Sequence, residues 1–278
     1  MSKNEYSIAW PTIGLTVIAL AGYLLSFCLV LIGFLPVWIG FFVNLLMAYI
    51  LFTSMHEACH YNISGSEKAL RWLDEFLGVL AGFTLFAPLK LFRVLHFKHH
   101  GHTNDEDKDP DHWMASGSSI SIILKGLTIL PNYLVKGIKM LLSDDKMPSN
   151  MQRELSLGFL HFLIYLGIAV CWISFSGWQI PVLLWILPAV LAQGFLAFSF
   201  GWLPHHPHTE QARYLNTRTY LFPGLTVLLL SQNLHILHHL KPRVPFYKYG
   251  LEFNRVKQQI LSRGGLVYEP LKSDNQKP

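Results

Sequence analysis

All 22 Lys and Arg residues of this 278-residue chain fall outside four apolar runs, and outside the two short linkers that join those runs in pairs. No other feature limits the fold as much. The runs extend from about Ile13 to Gly33, Pro36 to Met55, Leu155 to Phe175 and Ile180 to Leu203. Each is near the roughly 20 apolar residues that carry a helix across a hydrocarbon core. Lipid offers no partner to backbone N–H and C=O groups, so these runs must satisfy their own as helices. The linkers, Phe34–Leu35 and Ser176–Gln179, are so short that each pair is expected to form a hairpin. One lysine, Lys3, precedes the first run, eleven basic residues separate the second from the third, and ten follow the fourth. By the positive-inside rule, both termini and the middle segment are expected on the cytoplasmic side. The expected fold class is therefore all-α integral membrane. Four transmembrane helices form two hairpins beneath a cytoplasmic, interfacial helical cap, in a multi-pass protein of the cell (inner) membrane.

Composition agrees: 51% of residues are hydrophobic and 14% charged, against about a quarter charged in soluble domains. The net charge of +5 then reads as a membrane-surface property and implies no nucleic acid. Cys28, Cys59 and Cys171 are odd in number and far apart, which implies no disulfide framework. The start is not a signal peptide, because it carries one lysine before an apolar run too long for the purpose.

The middle segment, Glu57 to Glu154, has structure of its own. Leu73 to Phe92 is apolar but broken by Gly78, Gly82 and Pro88, the pattern of a re-entrant or interfacial helix pair. Ile120 to Leu142 mixes apolar residues with Lys125, Lys136 and Lys139, as a helix lying in the interface does. Asn104 to Asp111 is an acidic turn. Tyr220 to Leu230 is apolar yet too short to cross, and the tail from Lys272 is polar and expected to fray.

Twelve of the 14 histidines fall into four tight groups beside the apolar runs. His56 and His60 lie four apart and share one helical face. His96, His99 and His100 have the spacing i, i+3, i+4, and His235, His238 and His239 repeat it. His205, His206 and His208 make the fourth group, with His102 close behind the second. Neutral imidazole is the commonest protein metal ligand, and two triads plus a pair offer eight ligands, enough for two ions with positions left open. Spacing alone does not choose among iron, copper and zinc.

The strings HEACH at 56–60, HFKHH at 96–100 and HILHH at 235–239 resemble the histidine boxes of the integral-membrane fatty acid desaturase and hydroxylase superfamily. The likeness runs through most of the chain, which reads as one such domain over 1–278. Three longer strings resemble the β-carotene ring hydroxylases within it: RVLHFKHHGHTNDEDKDPDH from Arg93, FGWLPH from Phe200 and QNLHILHHLKPRVPFYKY from Gln232. The resemblance implies two iron ions, O2 as co-substrate, and attack on an unactivated C–H bond of a lipid drawn from the bilayer. It assigns the metal to His56, His60, His96, His99, His100, His205, His235, His238 and His239. Glu57, His102, Asn104, Asp105, Asp109, Asp111 and Asn233 are the candidates to hold those imidazoles from behind, as outer hydrogen-bond partners usually do. His206 and His208 have no counterpart in the family pattern, while His112 and His161 read as structural.

A carotenoid ring hydroxylase and an acyl-lipid desaturase share these boxes and differ in how the substrate is placed. HEACH also fits H-E-x-x-H, the signature of a zinc protease in which glutamate activates water, but that leaves two triads unexplained. A metal transporter is opposed by spans with almost no polar residues to line a path. The chain shows no dinucleotide-binding turn and no cysteine cluster, so electrons are expected from a separate ferredoxin-like donor. Lys241, Arg243 and Lys248 would suit an acidic carrier or anionic lipid.

Overall fold

The computed structural model describes residues 6–115, 117–143 and 147–270; Lys3, Ser116 and the tail from Lys272 lie outside them. Four helices are long and apolar enough to cross a membrane. They are α1 (Trp10–Leu31), α2 (Val37–Cys59), α7 (Ser149–Ser176) and α8 (Gln179–Trp202). Between α2 and α7 lie α3 (Arg71–Thr84), α4 (Leu89–Gly101), α5 (Ser119–Gly126) and α6 (Ile129–Leu142). After α8 come β1 (Arg218–Tyr220), α9 (His235–Leu240), α10 (Tyr249–Ser262) and β2 (Leu266–Tyr268).

Two of the four spans outrun their apolar cores. Helix α2 continues past Met55 to Cys59 and so carries His56, while α7 starts six residues before Leu155 and lifts Arg153 and Glu154 onto its first turns. Polar groups inside the spans are matched locally. Pro188 has no N–H for the Leu184 carbonyl one turn earlier, and the helix widens over Val182–Ile186. Asn44 Nδ2 (2.8 Å) and the Tyr23 hydroxyl (3.3 Å) donate to that carbonyl from α2 and α1. Thr16 gives its proton to the Thr12 carbonyl and accepts from the Ser54 hydroxyl at 2.8 Å, closing α1 on α2. Large apolar side chains such as Ile18, Phe42, Leu163 and Val170 point outward, as lipid-facing residues do.

The middle segment departs from expectation in two places. Gly78 and Gly82 do not break α3; a Cβ at Gly78 would stand 2.6 Å from Ala58 Cβ, so its absence lets α3 lie against α2. The break falls at Pro88, where α3 with its preceding turn (Lys68–Thr84) and α4 bend by 99°, and α4 runs beyond Phe92 to Gly101. Ile120 to Leu142 is two helices, α5 and α6, both with exposed apolar residues: Ile120 and Leu124 on one, Val135 and Leu142 on the other.

Helix α4 is held by a charge quartet. Arg93 meets Glu75 (2.6 Å) and Glu154 (3.1 Å), and Lys90 meets the same two acids at 3.0 and 2.9 Å. Arg93 also donates to the Ala58 carbonyl near the end of α2 (3.1 Å). Two buried or half-buried cations are thus matched by two anions, the condition under which such groups are tolerated. The quartet ties α4 to α2, α3 and α7 at once.

An all-α expectation misses one element. β1 and β2 pair in parallel, Arg218 with Leu266 and Tyr220 with Tyr268. The two tyrosine rings stack at 5.1 Å and 12°. The Tyr220–Leu230 stretch ends β1 and then makes a short helical turn at Leu225–Leu228. The three cysteines are free.

Candidate metal centre

Four segments converge at the end of α2. That helix brings His56 and, just past its end, His60, one turn apart. α4 brings His96, His99 and His100, and α9 brings His235, His238 and His239, each triad on one face. His205 comes from the turn after α8. His56, His60, His96, His99, His205, His235 and His238 are buried; His100 and His239 are half-buried.

The imidazole donor atoms form two groups, and His99 makes a third with the carboxylates of Asp109 and Asp111. In the first, ring Nε2 atoms of His56, His60, His96 and His238 lie within 4.8 Å of one another. His96 stands 3.1 Å from His56 and 2.9 Å from His60, and His238 lies 3.2 Å from His56. His100 Nε2 joins them, 3.1 Å from His96 and 2.8 Å from His238. The second group is His99, His205, His235 and His239, again within 4.8 Å. All nine histidines expected from the sequence are brought to this one place.

Hydrogen bonds fix how the second group points. His99 Nδ1 faces Asp109 at 2.9 Å, and a carboxylate only accepts, so Nδ1 is the donor. His205 Nδ1 donates to the Asn216 carbonyl (3.1 Å). The Thr103 hydroxyl gives its proton to the His99 carbonyl (2.9 Å), so His239 Nδ1, 3.3 Å away, is the donor to Thr103. With Nδ1 protonated in all three rings, their Nε2 lone pairs converge with no proton between them. His205 Nε2 is buried without a partner among the described residues. Burial, and then the neighbouring imidazoles, hold His205 and His239 well below the ordinary value, as they do His235. Burial opposes charge on His99 too, but Asp109 overrides it and holds that ring above the ordinary value. A cation at His99 therefore competes with a proton.

This donor set fits metal ions. An imidazole nitrogen sits about 2.1 Å from an ion such as zinc, so two ligands at right angles are roughly 3 Å apart. The close Nε2 pairs of the first group, at 2.8 to 3.4 Å, are near that spacing. Five rings, four buried and His100 half-buried, cannot satisfy one another there with one N–H each. A cation accepts every lone pair.

The acids and amides near the boxes divide sharply. Asp109 bonds a cluster imidazole and also accepts the N–H groups of Asn104 and Asp111, both at 2.8 Å. Burial alone would raise its carboxyl, but the His99 hydrogen bond brings it below the usual range. Asp111 stands 3.8 Å from His99 Nδ1, and burial pushes it up to about 6. Asn104 turns its amide to the Glu210 and Asn216 carbonyls, pinning the loop. Asn233 donates to Tyr220 and Thr226. Asp105 caps its own turn at Asp107 and Lys108, and His102 is exposed. Glu57 accepts from Asn62 (3.3 Å) and from the Phe246 N–H (3.2 Å). None of these last five bonds a cluster ring among the described residues, and the Glu57 oxygens are turned to Asn62 and Phe246.

The sequence did not flag three partners: Tyr249, whose hydroxyl meets His238 Nδ1 at 3.0 Å, Thr103 and the Asn216 carbonyl. Tyr249 lies 11 residues past His238, and the signal the sequence offered is its place as the last residue of the string that begins at Gln232. Among the remaining histidines, exposed His206 packs against Trp202 with its ring tilted (4.4 Å, 37°), and His208 is buried beside His112 (6.3 Å). His161 lies 6.4 Å from Tyr165 in α7. The basic trio is engaged: Lys241 with Glu252 (3.1 Å), Arg243 with the His60 carbonyl, and Lys248 over the Tyr6 ring (4.9 Å).

Two spaces reach the cluster. An apolar cavity ends on His56, His96, His99 and His235, walled by Phe52, Leu91, Phe92, Leu130, Leu196 and Phe200. A polar cleft reaches His100 and His239 past His102, Thr103, Asp105 and Arg213. The family model for fatty acid desaturases matches residues 31–271. No curated protein matches the chain.

Proposed function

The chain belongs to the fatty acid desaturase family, a family of membrane oxidoreductases, and on that premise we propose that it is an O2-dependent di-iron enzyme oxidising an unactivated C–H bond of a lipid. The convergence of nine imidazoles into two adjoining groups carries this reading. In it, His56, His60, His96, His100 and His238 hold one iron, and His99, His205, His235 and His239 the other. Iron bound there supplies the activation of O2 that no side chain can provide. The protein's part is orientation and exclusion of water. Asp109, the Asn216 carbonyl and Thr103 hold three rings with Nε2 inward. Phe92 stacks on His96 (5.0 Å, 14°), and Phe52 and Phe200 flank His56. The apolar cavity is the substrate's seat, whose walls offer a bilayer lipid surroundings as apolar as those it leaves.

A carotenoid ring is the narrower substrate, on the strength of the three long strings. The family match is consistent with an acyl-lipid desaturase, the second reading. Expression in a β-carotene-producing host, with analysis of both pigments and fatty acids, separates them: new hydroxylated rings support the first and new double bonds the second. Metal analysis returning about one zinc and no iron, with no O2 uptake, overturns both. Electrons come from a separate carrier approaching the polar cleft, where His100 and His239 are half-exposed. The cluster and both termini face the cytoplasm of a cell-membrane protein. Cysteine labelling at Lys108 from the cytoplasmic side and at Gln179 from the other is the expected result, and the reverse overturns that orientation.

A further inference from the structure

The apolar cavity carries one polar feature that the oxidation does not require. Asp111 and Tyr133 both line it, among Leu91, Met114, Ile129 and Leu130. The Tyr133 hydroxyl donates to Asp111 Oδ1 at 2.8 Å, which fixes the carboxylate's rotation. Oδ2 has no hydrogen bond among the described residues. Its nearest imidazole nitrogen, His99 Nδ1, is 3.8 Å away and already donates to Asp109. The third polar lining group, Gln193, commits its amide to the Leu85 carbonyl (2.7 Å). One oriented carboxylate oxygen, in a side chain 13% exposed, is thus left without a donor at the wall of a hydrocarbon-lined space.

A largely buried carboxylate oxygen that lacks a hydrogen-bond donor is costly even with the charges of His99 and Lys136 nearby, and a hydroxyl brought to it lowers that cost. We propose that Asp111, braced by Tyr133, is a specificity residue that accepts a hydrogen bond from a hydroxyl carried by the lipid in the cavity. This rests on the cavity being the substrate's seat. Because Asp111 lies beside His99, the hydroxyl sits close to the carbon that is oxidised. The preferred occupant is an oxygen-bearing lipid, either a substrate already hydroxylated nearby or the hydroxylated product. A lipid that is hydrocarbon throughout leaves Oδ2 unpaired and binds less well, the asymmetry by which polar sites reject analogues lacking the hydroxyl.

The test needs no iron. The metal-free full chain in nanodiscs is loaded with a pyrene-labelled hydrocarbon, which is then displaced by dodecane or by dodecan-2-ol, each corrected for uptake by empty nanodiscs. Wild type is expected to favour the alcohol about tenfold, the preference one charge-assisted hydrogen bond supplies. Asp111→Leu should bring that ratio to about one while dodecane still binds. Asp111→Asn keeps an acceptor oxygen without the charge and should give roughly threefold, which preserves the test if the leucine variant fails to fold. A wild-type ratio of one, or an undiminished ratio in Asp111→Asn and Asp111→Leu, overturns the proposal. Absence of iron or turnover with the preference intact would defeat the oxidoreductase reading and leave this one standing.

Discussion

The two histidine groups use one residue type and hold it in two ways. In the first, the rings are steadied largely by packing: His96 lies on Phe92, His60 against Phe97 (5.3 Å), and His56 Nδ1 has no hydrogen-bond partner among the described residues. Among the described residues, Tyr249 on His238 is the one outer hydrogen bond that group shows. In the second, His99, His205 and His239 are each turned by a bond to Nδ1. For His205 and His239 the difference follows from where the rings come from; His99 shares α4 with His96 and His100 and is still bonded by Asp109, and His235 Nδ1 has no partner among the described residues. His56, His60, His96 and His100 sit on or against long helices whose axes already aim them. His205 stands in a turn and His239 on a six-residue helix, so hydrogen bonds must supply the aim.

That contrast can be broken by mutation. The largest effect belongs to the ligands themselves. His238→Ala and His99→Ala should each abolish turnover and remove iron, while membrane fractionation shows normal insertion, since the apolar spans direct it. Near-wild-type iron and activity in either would end the assignment. His205→Ala should be nearly as damaging, because its buried Nε2 has no substitute in the second group. Next comes Asp109→Asn, which should weaken iron at the second group 10- to 100-fold, the usual range for such outer partners, as read by competition with a chelator. Tyr249→Phe should weaken the first group by about threefold, a single neutral hydrogen bond. If Tyr249→Phe matched Asp109→Asn, the contrast between packed and bonded rings would fall. Smallest of all, His206→Ala and His208→Ala should leave iron content within about twofold of wild type.

The spans were legible because charge and apolarity segregate along the chain, and nothing in the tertiary structure competes with that signal. Eight of the nine cluster histidines were legible because i, i+4 and i, i+3, i+4 spacing survives whenever a helix forms; His205, in a turn, was legible only through the family resemblance. Asp109 could be read from its place in the acidic string, but Asp105 could not be excluded, since only the turn's own geometry sends its carboxylate back to Asp107 and Lys108. Pro88 marked the bend between α3 and α4. Gly78 and Gly82 resembled breakers because sequence alone cannot tell a glycine that bends a helix from one that lets Ala58 approach. The parallel ladder was hidden for a similar reason. Each strand is three residues long, and its partner lies far along the chain.

That ladder has a consequence in chain statistics. By joining Arg218–Tyr220 to Leu266–Tyr268 it closes a loop that contains the whole HILHH string. A loop's closure entropy grows only slowly with length, about 0.6 kcal/mol for each doubling, so lengthening the segment after α10 should be tolerated. Opening the loop is another matter. A chain cut before Leu266 would let α9 sample a far larger volume, and its three imidazoles would reach the other six at a lower effective concentration. The penalty would appear as slower, weaker iron loading in a protein that still enters the membrane.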